Sequence, residues 1–114
     1  MTINRFEDIL SWQKSKQLTI EIYRIFLQSK DYSFRDQIQR ATVSTMNNIV
    51  EGFERKGNKE FKNFLFIAKG SCGEVRSMLI LANELNYISK EKINNLLFLT
   101  EEIAKLLSGL IKTL

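Results

Sequence analysis

Histidine and proline are both absent from the 114-residue chain, and cysteine occurs once, at Cys72. Without histidine there is no imidazole for a catalytic triad, for metal ligation or for proton transfer near neutral pH. A single cysteine excludes an internal disulfide and any multi-cysteine metal site, and the expected place for such a thiol is the core. No apolar run approaches the roughly 20 residues a membrane-spanning helix requires. Residues 1–10 carry Arg5, Glu7 and Asp8 where a secretory leader would be apolar. These absences lead us to expect a cytoplasmic protein with no membrane contact, no cofactor and no metal.

What is present is ordinary for a globular protein: 44% hydrophobic and 26% charged residues, without low-complexity tracts. The length suits one domain over residues 1–114, burying roughly two thirds of the surface its unfolded chain exposes. The formal charge is +4, a mild basic bias that permits an acidic partner such as nucleic acid without requiring one.

Glycine is scarce enough, at five residues, that the breaks in the pattern stand out. Asn4 and Glu7 have the spacing of a capping box, predicting a first helix from Arg5 to about Ser29 with Phe6, Ile9, Trp12, Ile22, Ile25, Phe26 and Leu27 on a broad apolar face. Ser33 with Asp36 is expected to cap a second helix that runs to about Phe53. Gly52 and Gly57 bracket the next joint, where the chain is expected to reverse, and Asn58 is the expected cap of a third helix. Phe61, Phe64, Leu65, Ala68, Cys72, Val75, Leu79 and Ala82 keep the three-four spacing of that helix closely. "NELNYIS" ends it, Ser89 caps the last helix, and Ile93, Leu96, Leu97, Ile103, Leu107, Leu110 and Ile111 form its apolar face. Four helices with short connections predict an all-α, antiparallel up-down-up-down four-helix bundle.

Two polar patterns accompany the apolar ones. On helix two, Gln37, Arg40, Ser44, Asn48, Glu51 and Arg55 fall within an arc of about 80°, beside the apolar stripe of Phe34, Ile38, Ala41, Thr45 and Ile49. This stripe is either a solvated face, with Glu51 and Arg55 as an i,i+4 pair, or a hydrogen-bonding seam between subunits. On helix three, Lys62, Lys69 and Arg76 recur every seven residues, with Lys59 one turn earlier. Charges about 10 Å apart on one face can follow a phosphate backbone, and a lysine row can equally be the wet side of a helix. Arg55, Lys56, Lys59 and Lys62 also give the joint after helix two a basic corner, tempered by Glu51, Glu54 and Glu60.

"KGSCGE", residues 69–74, lacks the spacing and the Lys-Ser/Thr ending of a phosphate loop; its small residues instead suit close approach of a neighbouring helix. Adjacent carboxylates such as Glu101 and Glu102 point to different sides of a helix and so do not form an acid–base pair. No catalytic constellation emerges, and no enzyme is expected.

Three segments, "FEDILSWQKS", "QIQRATVSTMNNIVEG" and "EFKNFLFIAKGSCGE", resemble the four-helix-bundle family of proteins encoded in intervening sequences of bacterial large-subunit ribosomal RNA genes. The accessory protein of diversity-generating retroelements is similar to that family. Phe6, Trp12, Gln37, Arg40, Ala41, Ser44, Asn48, Ile49, Glu51, Gly52, Arg55, Glu60, Phe61, Phe64, Leu65, Ala68, Gly70, Ser71 and Glu74 carry the likeness. Many relatives have proline in the middle of helix two, where this chain has Met46. The resemblance implies a homo-oligomer, a ring of five, with a nucleic-acid-binding role and no enzymatic one. It shifts the reading of the helix-two stripe toward a feature of assembly. The functional expectation is a bundle that contacts RNA or DNA phosphates through Arg55, Lys56, Lys59, Lys62, Lys69 and Arg76, with Gln37, Arg40, Ser44, Asn48 and Glu51 at an oligomer interface. The competing expectation is a scaffold without nucleic-acid binding, for example an accessory subunit of a reverse transcriptase.

Overall fold

The computed structural model describes residues 3–114. Its helices are α1 (Leu10–Ile25), α2 (Tyr32–Glu54), α3 (Asn58–Glu84) and α4 (Lys90–Lys112), preceded by one 3₁₀ turn at Phe6–Asp8. Each helix packs against the next and α4 closes back on α1, so that α1 and α3 lie diagonally across the bundle. The expected up-down-up-down architecture is the one observed, with principal extents of 43 × 22 × 19 Å.

The apolar stripes meet in one core. Leu18 and Ile22 of α1, Ile38 and Ile49 of α2, Leu65, Val75 and Leu79 of α3, and Ile103 and Leu107 of α4 are fully buried. At roughly 1.5–3 kcal/mol for each large aliphatic side chain removed from water, this core is the main source of stability. Cys72 lies within it, as expected, and its thiol donates to the Thr100 carbonyl of α4 at 3.4 Å. Burial pushes the thiol pKa up to about 11, against a smaller downward pull from Arg76.

The helix ends depart from expectation in ways their hydrogen bonds explain. No capping box forms between Asn4 and Glu7: Glu7 Oε2 accepts from the Arg5 guanidinium at 2.9 Å, and the Glu7 carbonyl accepts from Gln13 Nε2 at 2.8 Å. With the Phe6 ring edge-on to Trp12 at 5.0 Å, the entry folds over the first turn and α1 begins only at Leu10. The helix ends at Ile25, short of Ser29, with the Phe26 N–H donating the last helical hydrogen bond to the Ile22 carbonyl. The cap of α2 is Asp31, whose Oδ1 accepts the Phe34 N–H at 3.1 Å; Ser33 is already helical and accepts from Gln37 Nε2. Asp31 Oδ2 also accepts the Tyr87 hydroxyl at 2.8 Å, tying the α1–α2 turn to the α3–α4 turn. This bond to a carboxylate raises the Tyr87 pKa. Ser89 caps α4 as expected, accepting from the Lys92 N–H.

The joint between α2 and α3 divides its two glycines by role. Gly57 makes the reversal, with φ of 115°, and occupies the cap position expected for Asn58, which is the first helical residue. Gly52 does not take part in the turn. It is buried inside α2, where an added Cβ would stand 2.7 Å from Phe64 Cβ and 3.0 Å from Phe61 Cδ1. α2 continues without interruption through Met46.

Candidate nucleic-acid interface

The expected basic residues divide between the α2–α3 joint, with Arg55, Lys56 and Lys59, and the flank of α3, with Lys62, Lys69 and Arg76. Arg55 lies over the Phe64 ring at 5.1 Å and is paired with Glu51 Oε1 at 2.6 Å and with Glu60 Oε2 at 3.9 Å. Its charge is therefore largely answered within the chain. Lys56 and Lys59 are exposed beside Glu54 and Glu60, so the corner itself has little excess charge.

The flank between α3 and α4 is different. Because α3 and α4 run antiparallel, the seven-residue row of Lys62, Lys69 and Arg76 faces a second row on α4, Glu101, Lys105 and Lys112, spaced at helical intervals. Lys69, Arg76 and Lys105 line one groove of about 330 Å³, together with Cys72, Gly73, Thr100, Glu101 and Ala104. Arg76 is paired with Glu101 at 2.9 Å across it. Among the described residues, Lys69 and Lys105 have no carboxylate partner within ion-pair distance. From Lys62 to Arg76 the row spans about 21 Å of helix. Sequence reasoning missed Lys105 and Lys112, whose separate spacing on α4 becomes meaningful only once antiparallel packing sets them opposite α3.

The helix-two stripe is partly satisfied inside the chain. The Ser44 and Ser71 hydroxyls share a hydrogen bond of 2.9 Å between α2 and α3, and Asn48 Nδ2 donates to the Ser44 carbonyl and hydroxyl. Glu51 holds Arg55, and Gln37 holds Ser33. Arg40 is exposed and has no partner among the described residues. The outward face of α3 beside this stripe is apolar, with Phe66, Ile67, Ile80 and Leu81 each about half exposed. A Cβ at Gly70 or Gly73 would meet nothing, so of the four small residues expected to admit a neighbouring helix only Ser71, against Ser44, and Cys72, against Thr100, do so.

Among the described residues there is no group of side chains able to hold a metal ion, and no helix is long and apolar enough to cross a membrane.

A small antiparallel four-helix bundle, with a cationic groove along one flank and an uncovered apolar face beside it, is the class these features define. The chain belongs to the 23S rRNA-intervening sequence protein family, whose model matches residues 7–109. It is similar to a crystal structure of a protein with unknown function from the S23 ribosomal protein family of Bacteroides thetaiotaomicron. That likeness has 28% identity and a TM-score of 0.84, covering 90% of this chain and 96% of that one. None of the curated proteins matches it.

Proposed function

We propose that this protein binds the phosphate backbone of RNA or DNA along the α3–α4 flank, as one subunit of a homo-oligomer and without catalysing a reaction. The observation that carries this reading is the groove where Lys69, Arg76 and Lys105 converge with Glu101 as its one carboxylate. Lys62 and Lys112 extend the row toward one end of the bundle, with Lys59 beyond Lys62, while Arg55 and Lys56 lie at the edge of the site. A cationic groove whose own lining holds no aromatic side chain suits phosphate contacts, which supply affinity and little sequence preference. Assembly would repeat the flank, and the ring of five implied by the family resemblance would carry about +20 in total.

Membership of a family named for an intervening sequence of 23S rRNA makes RNA the first probe to use. The test is fluorescence anisotropy of a labelled RNA duplex, titrated with the protein at several salt concentrations. Binding should be insensitive to sequence and should weaken with salt along a linear log–log slope. Absence of binding at about 50 mM salt, where phosphate contacts are strong, would leave the second reading: a scaffold or accessory subunit, for example of a reverse transcriptase. The exposed apolar face of α3 favours that reading if the basic flank binds nothing.

A further inference from the structure

The outward face of α4 carries a single aromatic ring. Phe98 is 68% exposed, the most of any large apolar side chain among the described residues. Its neighbours one turn away on that face are polar: Asn94 and Asn95 before it, Glu101 and Glu102 after it. A partner protein would bury a contiguous apolar patch, and Phe98 is not part of one. Both carboxylates are answered from the adjoining helices. Arg76 of α3 reaches Glu101 at 2.9 Å on one side, and Lys14 of α1 reaches Glu102 at 3.6 Å on the other. The ring is thus followed along α4 by two ion pairs, one to each neighbouring helix.

The two sides of α4 differ in charge. Toward α3 lies the groove of Lys69, Arg76 and Lys105, and toward α1 lies a second groove of about 390 Å³ that Phe98 itself lines. The charges in this second groove cancel, Lys14 and Lys92 against Glu21 and Glu102, and the exposed carboxamides of Gln17 and Asn95 line it as well. A groove without net charge has little hold on phosphate, but its ring and carboxamides suit a neutral nucleobase. Stacking uses the ring, and each carboxamide offers both a donor and an acceptor to the edge of a base. Lys105 stands two turns along α4 from Phe98 on the same face, about 10 Å away along the helix. Because Lys105 belongs to the cationic groove, a strand whose phosphates lie there passes within reach of the ring.

We infer that Phe98 is a stacking platform for an unpaired base of an RNA strand whose phosphates lie in the α3–α4 groove. The backbone follows the cations on one side of α4, and the base turns across the outward face of the helix onto the ring. Only an unpaired base can do so, because a base inside a duplex is already stacked on its neighbours and must leave them to reach a side chain. Every base has a π-face, so the contact adds affinity without adding sequence preference. The inference rests on the phosphate reading proposed above and adds the form of the ligand: single-stranded segments gain a contact that a duplex does not make.

The test titrates wild type, Phe98→Ala, Phe98→Leu and Phe98→Trp into a labelled single-stranded RNA without self-complementarity, and into the duplex it forms with its complement. Anisotropy is read at about 50 mM salt, where phosphate contacts are strong, and circular dichroism checks that the helical signal is retained. Phe98→Ala and Phe98→Leu should each weaken binding to the single strand roughly ten-fold, the loss typical of one stacked base, and leave duplex binding unchanged. Phe98→Trp should bind the single strand at least as tightly as wild type. Leucine keeps the apolar bulk without the ring, so its loss assigns the effect to stacking and stands in for Phe98→Ala if that variant fails to fold. The salt slope should be the same in all four proteins, because no phosphate contact is removed. A wild type that binds neither RNA would overturn the phosphate reading and the platform with it. If wild type binds RNA but Phe98→Leu matches it on the single strand, or loses equally on strand and duplex, the phosphate reading stands and the platform is refuted. Binding of the duplex alone would refute it as well.

Discussion

Gly52 of α2 and Phe64 of α3 approach so closely that a methyl group on the glycine would lie 2.7 Å from the phenylalanine Cβ. The same methyl would lie 3.2 Å from the Phe61 carbonyl oxygen, which cannot swing aside as a flexible side chain can. Gly52→Ala should therefore destabilise the fold by about 1–3 kcal/mol despite the better helix propensity of alanine, the range typical of overpacking. Urea denaturation measures it. An unchanged or raised midpoint would show that α2 and α3 separate without cost.

Asp31 joins two turns through its two carboxylate oxygens, one capping α2 and the other receiving the Tyr87 hydroxyl. Asp31→Ala should lower stability by about 1 kcal/mol because it removes the cap. Tyr87→Phe removes only the link between turns and should have the smaller effect, visible as faster hydrogen exchange at the α3–α4 turn. Equal destabilisation in both variants would mean the cap contributes little.

The Cys72 thiol should resist alkylation in the folded protein and react rapidly in denaturant, because its surroundings exclude both reagent and charge. Its pKa rises from 9.0 to about 11 on folding. The folded state thus holds the proton more tightly, and the resulting stability is complete below pH 9 and disappears as pH rises through about 11. A shift of this size corresponds to roughly 2–3 kcal/mol. Lysine titration affects wild type and Cys72→Ala alike, so the difference between their unfolding free energies at pH 8 and pH 11 isolates the thiol. A constant difference would contradict its burial.

The four helices are legible in the sequence because three-four apolar spacing is strong in this chain, clearest on α3 from Phe61 to Ala82. Their ends are less so. Ser33 reads as the cap of α2 where Asp31 serves, because the spacing of polar residues does not show which side chain the backbone will reach. Gly52 reads as a turn residue in a sequence with few glycines, and only the approach of Phe64 reveals its packing role. The basic site is half visible: the row on α3 follows from spacing by sevens, but its partners on α4 depend on antiparallel register, a long-range property. The Ser44–Ser71 bond, 27 residues apart in sequence, is hidden for the same reason.

The most direct test of the nucleic-acid reading compares three proteins against one labelled RNA duplex by anisotropy at about 50 mM and 200 mM salt, the interval over which phosphate contacts weaken most visibly. The proteins are wild type, Lys69→Gln/Lys105→Gln in the groove, and Arg55→Gln/Lys56→Gln at the α2–α3 joint. The account predicts that the groove variant binds more weakly to every sequence, with a log–log salt slope shallower by roughly two units, one for each lysine replaced. The joint variant should stay close to wild type, because Arg55 is already engaged by Glu51 and Glu60. Wild-type affinity and slope in the groove variant, with the weakening seen instead at the joint or nowhere, would contradict it.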